Sequence, residues 1–398
     1  MDKSTAIPSL SRDDLYKVEV PVAPWTEQTR IVEKLEELLS DLDAGVAELK
    51  AAQRKLAQYR QSLLKAAVEG ALTAEWRATH RSVRPEPVEG RPSSVHASTS
   101  SARTDEGETG ADLLQRILAE RRARWEQKQL AKFAEQGKTP PNGWQSKYPA
   151  PVAPDIDGLP ALPASWVWSS LGQCFHVAVG ATPSRKELAY WDGDIPWVSS
   201  GEVRFARITS TKEQITENGL NNTSTRVNPV GSVLLGMIGE GRTRGQVAIL
   251  DIEAANNQNC AAIWVPETDI PPEYVYYWLW SRYEETRRDS SGNNQPALNK
   301  SIVEAIPFPL PPLDELIEIV ARVENSLIQS DRQDAAITHV LKQAAAQRKN
   351  ILKAAFAGQL VPQDPNDEPA SVLLERIRAA KVEHAGNAKP VAKRGRKA

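Results

Sequence analysis

Apolar residues recur between positions 31 and 63 in steps that alternate between four and three. The series is Ile31, Leu35, Leu38, Leu42, Gly45, Leu49, Ala52, Leu56, Tyr59 and Leu63. This spacing places them on one stripe of an α-helix, the a/d seam of a coiled coil. Thr26 can cap the start, Glu27 suits the positive end of the helix dipole, and Gly70 can stop the helix. The pattern predicts a helix of about 44 residues, roughly 66 Å long at 1.5 Å per residue. Such a stripe cannot bury itself and needs a partner.

A matching helix is written further along the chain. "LLKAAVEG" at 63–70 returns as "ILKAAFAG" at 351–358, an offset of 288. At the same offset Pro8 falls on Pro296, Leu10 on Leu298, Val20 on Phe308, Pro24 on Pro312, Glu27 on Glu315 and Glu36 on Glu324. Beyond the helices, "LLQRI" (113–117) resembles "LLERI" (373–377) at an offset of 260, so the first copy is 28 residues longer. The Ser/Pro/Arg-rich stretch between 76 and 110 accounts for the difference and reads as a disordered insertion. A repeat with so long a period is a duplicated module rather than a solenoid. The second helix, Asp314 to Gly358, has the poorer seam, with Ser326, Ser330 and Gln333 before Ile337, Val340, Ala344 and Ile351. Periodicity alone leaves two readings open: a generic bundle, or a long antiparallel pair that holds other parts of the chain at a fixed separation.

Between the copies, 111–136 reads as a charged helix with a narrow Leu/Ile stripe, and the Pro-rich segment up to about 162 as an extended linker. From 163 to 312 the chain becomes strand-rich. "GSVLLGMIGEGRTRGQVAIL" (231–250) predicts strand, glycine turn and strand, and "YVYYWLW" (274–280) an aromatic helix or strand in a core. The expected fold class is α+β, one domain of mixed strands and helices plus two long helices pairing as an antiparallel coiled coil. The divisions are 1–24, the helix region 25–75, the insertion 76–110, the charged helix and linker 111–162, the domain 163–312, the second helix region 313–360 and a C-terminal helix with basic tail 361–398.

Composition narrows the classes. The chain has 25% charged and 40% hydrophobic residues, with no run of 18 apolar residues, so a cytoplasmic location is expected. Cys174 and Cys260 have no CxxC or Cys/His neighbours and read as buried free thiols, and the five histidines are scattered. A net charge of −2 makes no global case for nucleic acid, and 160–310 holds 12 Lys and Arg against 16 Asp and Glu. "GMIGEGRT" (236–243) approaches a phosphate-binding loop, but Arg242 stands where lysine is needed and a strand follows instead of a helix. "DIPPEY" (269–274) approaches a methyltransferase motif without its cofactor loop. Asp192 and Asp194 read as solvated loop acids.

Several motifs in order resemble the specificity subunits of type I restriction–modification systems. "LPASWVWSSLG" (162–172) resembles the entry to their target-recognition domain. "GATPSRKELAYWDGDIPWVSSGEV" (180–203) is similar to their G-x-T-P-S…Y-W-x-G-x-I-P-W signature. "NNQNCAAI" and "NNQPALNKSIVEAIPFPLPPLDE" continue the pattern, and "APWTEQTRIV" and "PPLDELIEIV" approximate the helix start. The resemblance implies a non-catalytic DNA-recognition subunit with two recognition domains alternating with two long helices, which set the distance between the halves of a bipartite target. It implies double-stranded DNA, methyltransferase (M) and restriction (R) subunits as partners, with S-adenosylmethionine, ATP and Mg in those partners and no cofactor in this chain. Residues 7–24 match only the end of a first recognition domain. A truncated gene, an upstream start or a second specificity chain supplying that half would each account for this. An inactive truncated subunit and a coiled-coil protein-binding adaptor are the alternatives. Candidate DNA contacts are Thr182, Ser184, Arg185 and Lys186 in the signature, Arg204 and Arg207, and Arg242 with Arg244 in the glycine turn. Trp191 and Trp197 are expected to anchor the core, and the tail "KRGRKA" (393–398) reads either as a phosphate-attracting segment or as a disordered end.

Overall fold

The computed structural model describes residues 12–80, 107–238, 243–288 and 298–387. Its contacts divide the chain into two compact units, Met1–Leu56 with Asp331–Ala398, and Ala57–Ser330. Two α-helices of 44 residues, Trp25–Val68 and Leu313–Phe356, contribute to both units, and their bounds keep the 288-residue offset of the repeat. They run antiparallel. In the first unit Asp43 pairs with Arg348, and Gln53 Nε2 donates to Asp334 at 3.2 Å. In the second, Arg60 Nε donates to Ser330 Oγ at 2.8 Å, and Arg322 Nη1 donates to the Leu72 carbonyl at 3.1 Å.

Three details of the helix pair differ from the sequence reading. Tyr59 and Val340, placed in the seam by spacing, are exposed, and Leu341 takes the position beside Val340. Thr26 is not the cap. The Gln28 amide bonds to the Pro24 carbonyl at 2.9 Å, while the Thr26 hydroxyl, with Arg30, donates to Asp367 from the segment after the second helix. Ser330 weakens the apolar seam yet is buried, because its hydroxyl accepts from Arg60. Gly70 and Gly358 follow the two helices with φ of +80° and +68°, a conformation glycine adopts without a Cβ clash.

Among the described residues the second unit holds ten strands: β1 Val167–Ser170, β2 His176–Val179, β3 Trp191–Val198, β4 Ala206–Ile208, β5 Glu213–Ile215, β6 Val233–Gly236, β7 Val247–Leu250, β8 Ala255–Asn256, β9 Cys260–Trp264 and β10 Pro307–Leu310. One sheet has the order β2-β9-β6-β7-β4, a second β5-β3-β8, and β1 pairs with β10. The apolar runs "VLLG" and "VAIL" are buried along their whole length because β6 and β7 are central strands. "YVYYWLW" resolves as a helix, Pro272–Ser281, whose Tyr274 donates its hydroxyl to the Pro309 carbonyl and packs its ring edge-on against Phe308. The β1–β10 pair joins the domain's entry to its exit, with Val167 opposite Leu310 and Ser170 opposite Pro307.

The charged helix spans Gly110–Glu135, starts in a capping box between Thr109 and Asp112, and buries Leu113 and Ile117 in the core of the strand-rich domain. The Pro-rich segment is more than an extended linker. Trp144 stacks on Trp125 at 5.7 Å and meets Phe133, so aromatic burial folds the segment back along the helix. Of the expected insertion at 76–110, residues 81–106 lie outside the described residues, as does the tail at 393–398. Its first residues belong to a packed junction instead. Ala74–Thr79 is helical, and Glu315, buried at the start of the second long helix, accepts from Thr73 Oγ1 at 2.7 Å, from Arg77 and from Trp166 Nε1 at 2.9 Å. The repeat extends to ion pairs. Arg116 pairs with Glu108 at 2.8 Å, and Arg376 with Glu368 at 2.5 Å, each pair at the 260 offset of the other.

Candidate nucleic-acid interface

The signature loop leaves the end of β2 and is fixed by backbone contacts before any side chain is considered. Ala181 N donates to the Asn256 carbonyl at 3.0 Å, and a Cβ on Gly180 would lie 1.8 Å from that oxygen, so only glycine fits there. Asn256 is itself locked: its Nδ2 donates to the Cys260 carbonyl at 2.8 Å and its Oδ1 accepts from Asn228. The indoles of Trp197 and Trp191 donate to the carbonyls of Ala181 and Ser184 at 3.1 and 3.2 Å. These tryptophans therefore hold the loop from behind.

The eight candidates separate on this frame. Thr182, Ser184, Arg185 and Lys186 share one loop, with Ser184 and Lys186 exposed. The Arg185 guanidinium lies 3.8 Å from the Trp191 ring centroid and makes two hydrogen bonds to Glu213, a hydrogen bonding that holds the Glu213 carboxyl below its usual pKa. Arg207 on β4 donates to Asp251 at 2.9 Å and to Glu273 at 2.8 Å. Both arginines are thus saturated by carboxylates, a fact invisible to a search for cationic clusters. Arg204 is exposed, with Nε donating to the Gly201 carbonyl at 2.6 Å. Arg242 lies outside the described residues, and Arg244 is half-buried with Nε lacking a hydrogen-bond partner.

Strand directions collect most of this chemistry at one end of the five-stranded sheet. Val179 ends β2 beside Ala261, Gly236 ends β6 beside Cys260, and Leu235 pairs with Val247. The loop after β2, the β6–β7 turn and the β8–β9 turn therefore emerge together, and Met237 N donates to the Asn259 carbonyl at 2.8 Å. The sequence reading assigned no role to Gln258 in that last turn. It is exposed and accepts from Thr182 Oγ1 at 2.6 Å, which fixes a carboxamide at the rim. A lone uncharged amide carries no signature in sequence. Arg207 points away from this rim, toward Asp251 beyond the far end of β7.

The weaker enzyme motifs resolve into structure. After Gly245 the chain enters β7, a strand, and Asp269 of "DIPPEY" pairs with Arg116 at 2.7 Å. Cys174 and Cys260 are buried free thiols whose pKa burial pushes up to about 12. Among the described residues no group of three His, Cys, Asp or Glu is placed to hold a metal ion, and no helix is long and apolar enough to cross a membrane.

The described residues thus combine paired entry and exit strands, a loop-bearing sheet and two long helices of equal length. Residues 163–344 match the family model described as the type I restriction modification DNA specificity domain. That stretch, 182 of the 398 residues, is what the chain shares with the family model. The chain is similar to the type I restriction enzyme EcoDI specificity subunit of Escherichia coli, 22% identical over 397 residues that cover 96% of this chain and 73% of that protein. The MjaIX specificity subunit of Methanocaldococcus jannaschii is 30% identical over 183 residues, 44% of this chain and 41% of that protein. Among solved structures, a chain described under "Structural basis underlying complex assembly and conformational transition of the type I R-M system" shares the fold. Its TM-score is 0.57 at 17% identity, covering 90% of this chain and 66% of that one, so this chain spans just under two thirds of it.

Proposed function

We propose that this chain is a non-catalytic subunit whose 163–312 domain reads one half of a bipartite DNA target through the β2, β6–β7 and β8–β9 loops. In this reading it brings methyltransferase subunits, which use S-adenosylmethionine, and ATP- and Mg-dependent restriction subunits to that site. The observation that carries it is the loop rim, fixed by Asn256, Trp191 and Trp197, mounted on one of two equivalent helix entries. The second half of the target would be read by a second recognition domain on the other entry. Val18, Val20 and Val22, the repeat counterparts of the β10 region, are exposed, as are Leu374 and Ile377, the counterparts of Leu114 and Ile117.

Co-expression with the adjacent methyltransferase subunit, followed by mapping of methylated adenines, tests the reading. A recovered complex and a methylation motif that vanishes with this gene are expected. Absence of both overturns the reading. The acidic balance of the domain favours the adaptor alternative, which predicts protein capture with no gene-dependent motif.

A further inference from the structure

The opposite end of the five-stranded sheet carries cations that no motif marked. There β2 begins at His176, whose backbone pairs with Trp264 and whose ring meets the Trp264 indole at 4.7 Å between centroids. Trp264 Nε1 donates to Asn228 Oδ1 at 2.8 Å, which brings the Arg226–Asn228 segment to the same corner. The helix Lys300–Ala305 packs on β2 and on the short helix Leu171–Cys174, and the charged helix Gly110–Glu135 packs on that short helix. The segments that carry Arg121 and Lys128, Arg226, and Lys300 thereby converge toward the start of β2.

These cations differ from Arg185 and Arg207 in their pairing. Among the described residues Arg121, Lys128 and Arg226 have no carboxylate partner, and Lys300 has only Glu304 at 3.6 Å, both side chains largely exposed. Arg121 Nη1 is shielded from water and makes no hydrogen bond. The field of the cluster registers on His176, whose pKa is lowered to about 4 by burial first and then by Lys300, Arg121, Arg226 and Lys128.

We propose that the exposed Lys128, Arg226 and Lys300, with Arg121 behind them, form a sequence-independent phosphate-contacting surface at the start of β2, separate from the loop rim. The inference rests on the DNA-recognition reading and assigns a second role within it. β2 has four residues, about 13 Å at 3.3 Å each. That length matches about four phosphate steps along one DNA strand. A duplex lying along the β2 edge would meet the signature loop at one end and the cations at the other. The rim would choose the sequence, while the cations would supply affinity that every sequence shares.

The test is the salt dependence of binding of the full chain to a mixed-sequence duplex, for wild type and for Lys128→Gln/Arg226→Gln, both exposed positions. With about 0.9 in log–log slope per phosphate contact, the double variant should lose a slope of about 2 and bind all duplexes more weakly at moderate salt. Lys128→Arg/Arg226→Lys should keep the slope. An unchanged slope in the double variant, or an equal loss in the charge-keeping one, overturns the phosphate surface and leaves the DNA reading standing. Failure of wild type to bind duplex even at low salt overturns both.

Discussion

The two helix entries of this chain have matching sequences and opposite environments. At the second, Phe308 and Leu310 are fully buried in a strand paired with β1, and Ile319 and Val323 lie in the domain core. At the first, Val20 is 62% and Val22 39% exposed at the corresponding positions. The flanks repeat the contrast: Ile117 is 1% exposed on the charged helix, and Ile377 is 42% exposed on the C-terminal one. The hydrophobic pattern therefore states which residues are built for burial. Burial follows at the second entry, where the strand-rich domain packs against these positions.

The largest test of that contrast is a matched pair. Phe308→Ala should cost about 4 kcal/mol in chemical denaturation. Val20→Ala should cost under about 0.5 kcal/mol, as exposed positions do. Equal costs would mean that the first entry is also covered. Glu315→Ala should cost about 3 kcal/mol, because Arg77 and Trp166 would lose a buried acceptor. Ile117→Ala should follow at about 2–3 kcal/mol, with Ile377→Ala near zero. Adding a chain that carries a second recognition domain sharpens the comparison, since Val20→Ala and Ile377→Ala should then weaken its capture. The smallest effect is confined to the strand-rich unit. His176 titrates at about 4 when folded, against about 6.5 when unfolded. The unfolded chain thus takes up a proton first, and stability falls as pH drops from about 6.5 to about 4. The loss should be roughly 2 kcal/mol, allowing for the part of the ring that meets water. His176→Gln should remove that part of the pH dependence.

Much of the fold was legible because it follows from spacing. The 4,3 pattern marks the two helices, and the apolar runs around Gly236 and Gly245 mark β6 and β7. Spacing failed at Tyr59 and Val340, which are exposed although they fall on the predicted stripe. The site was less legible. Cation identity pointed to Arg185 and Arg207, but their partners Glu213, Asp251 and Glu273 are 28, 44 and 66 positions away and meet them only through the sheet. Gln258 and the cluster around His176 were missed for the same reason: each is assembled from segments distant in sequence.

Gly70 and Gly358 stand at corresponding places, yet the fold constrains them unequally. A Cβ on Gly70 would lie 2.5 Å from Pro163 Cγ, whereas at Gly358 the nearest neighbour is Gln363 Nε2 at 3.5 Å. Both have positive φ, which asparagine tolerates better than most residues. As the duplicated halves drift apart, the first stop has no substitute while the second admits a few. The two glycines occupy one position of the repeat in two different packings, so Gly70→Asn should cost more stability than Gly358→Asn.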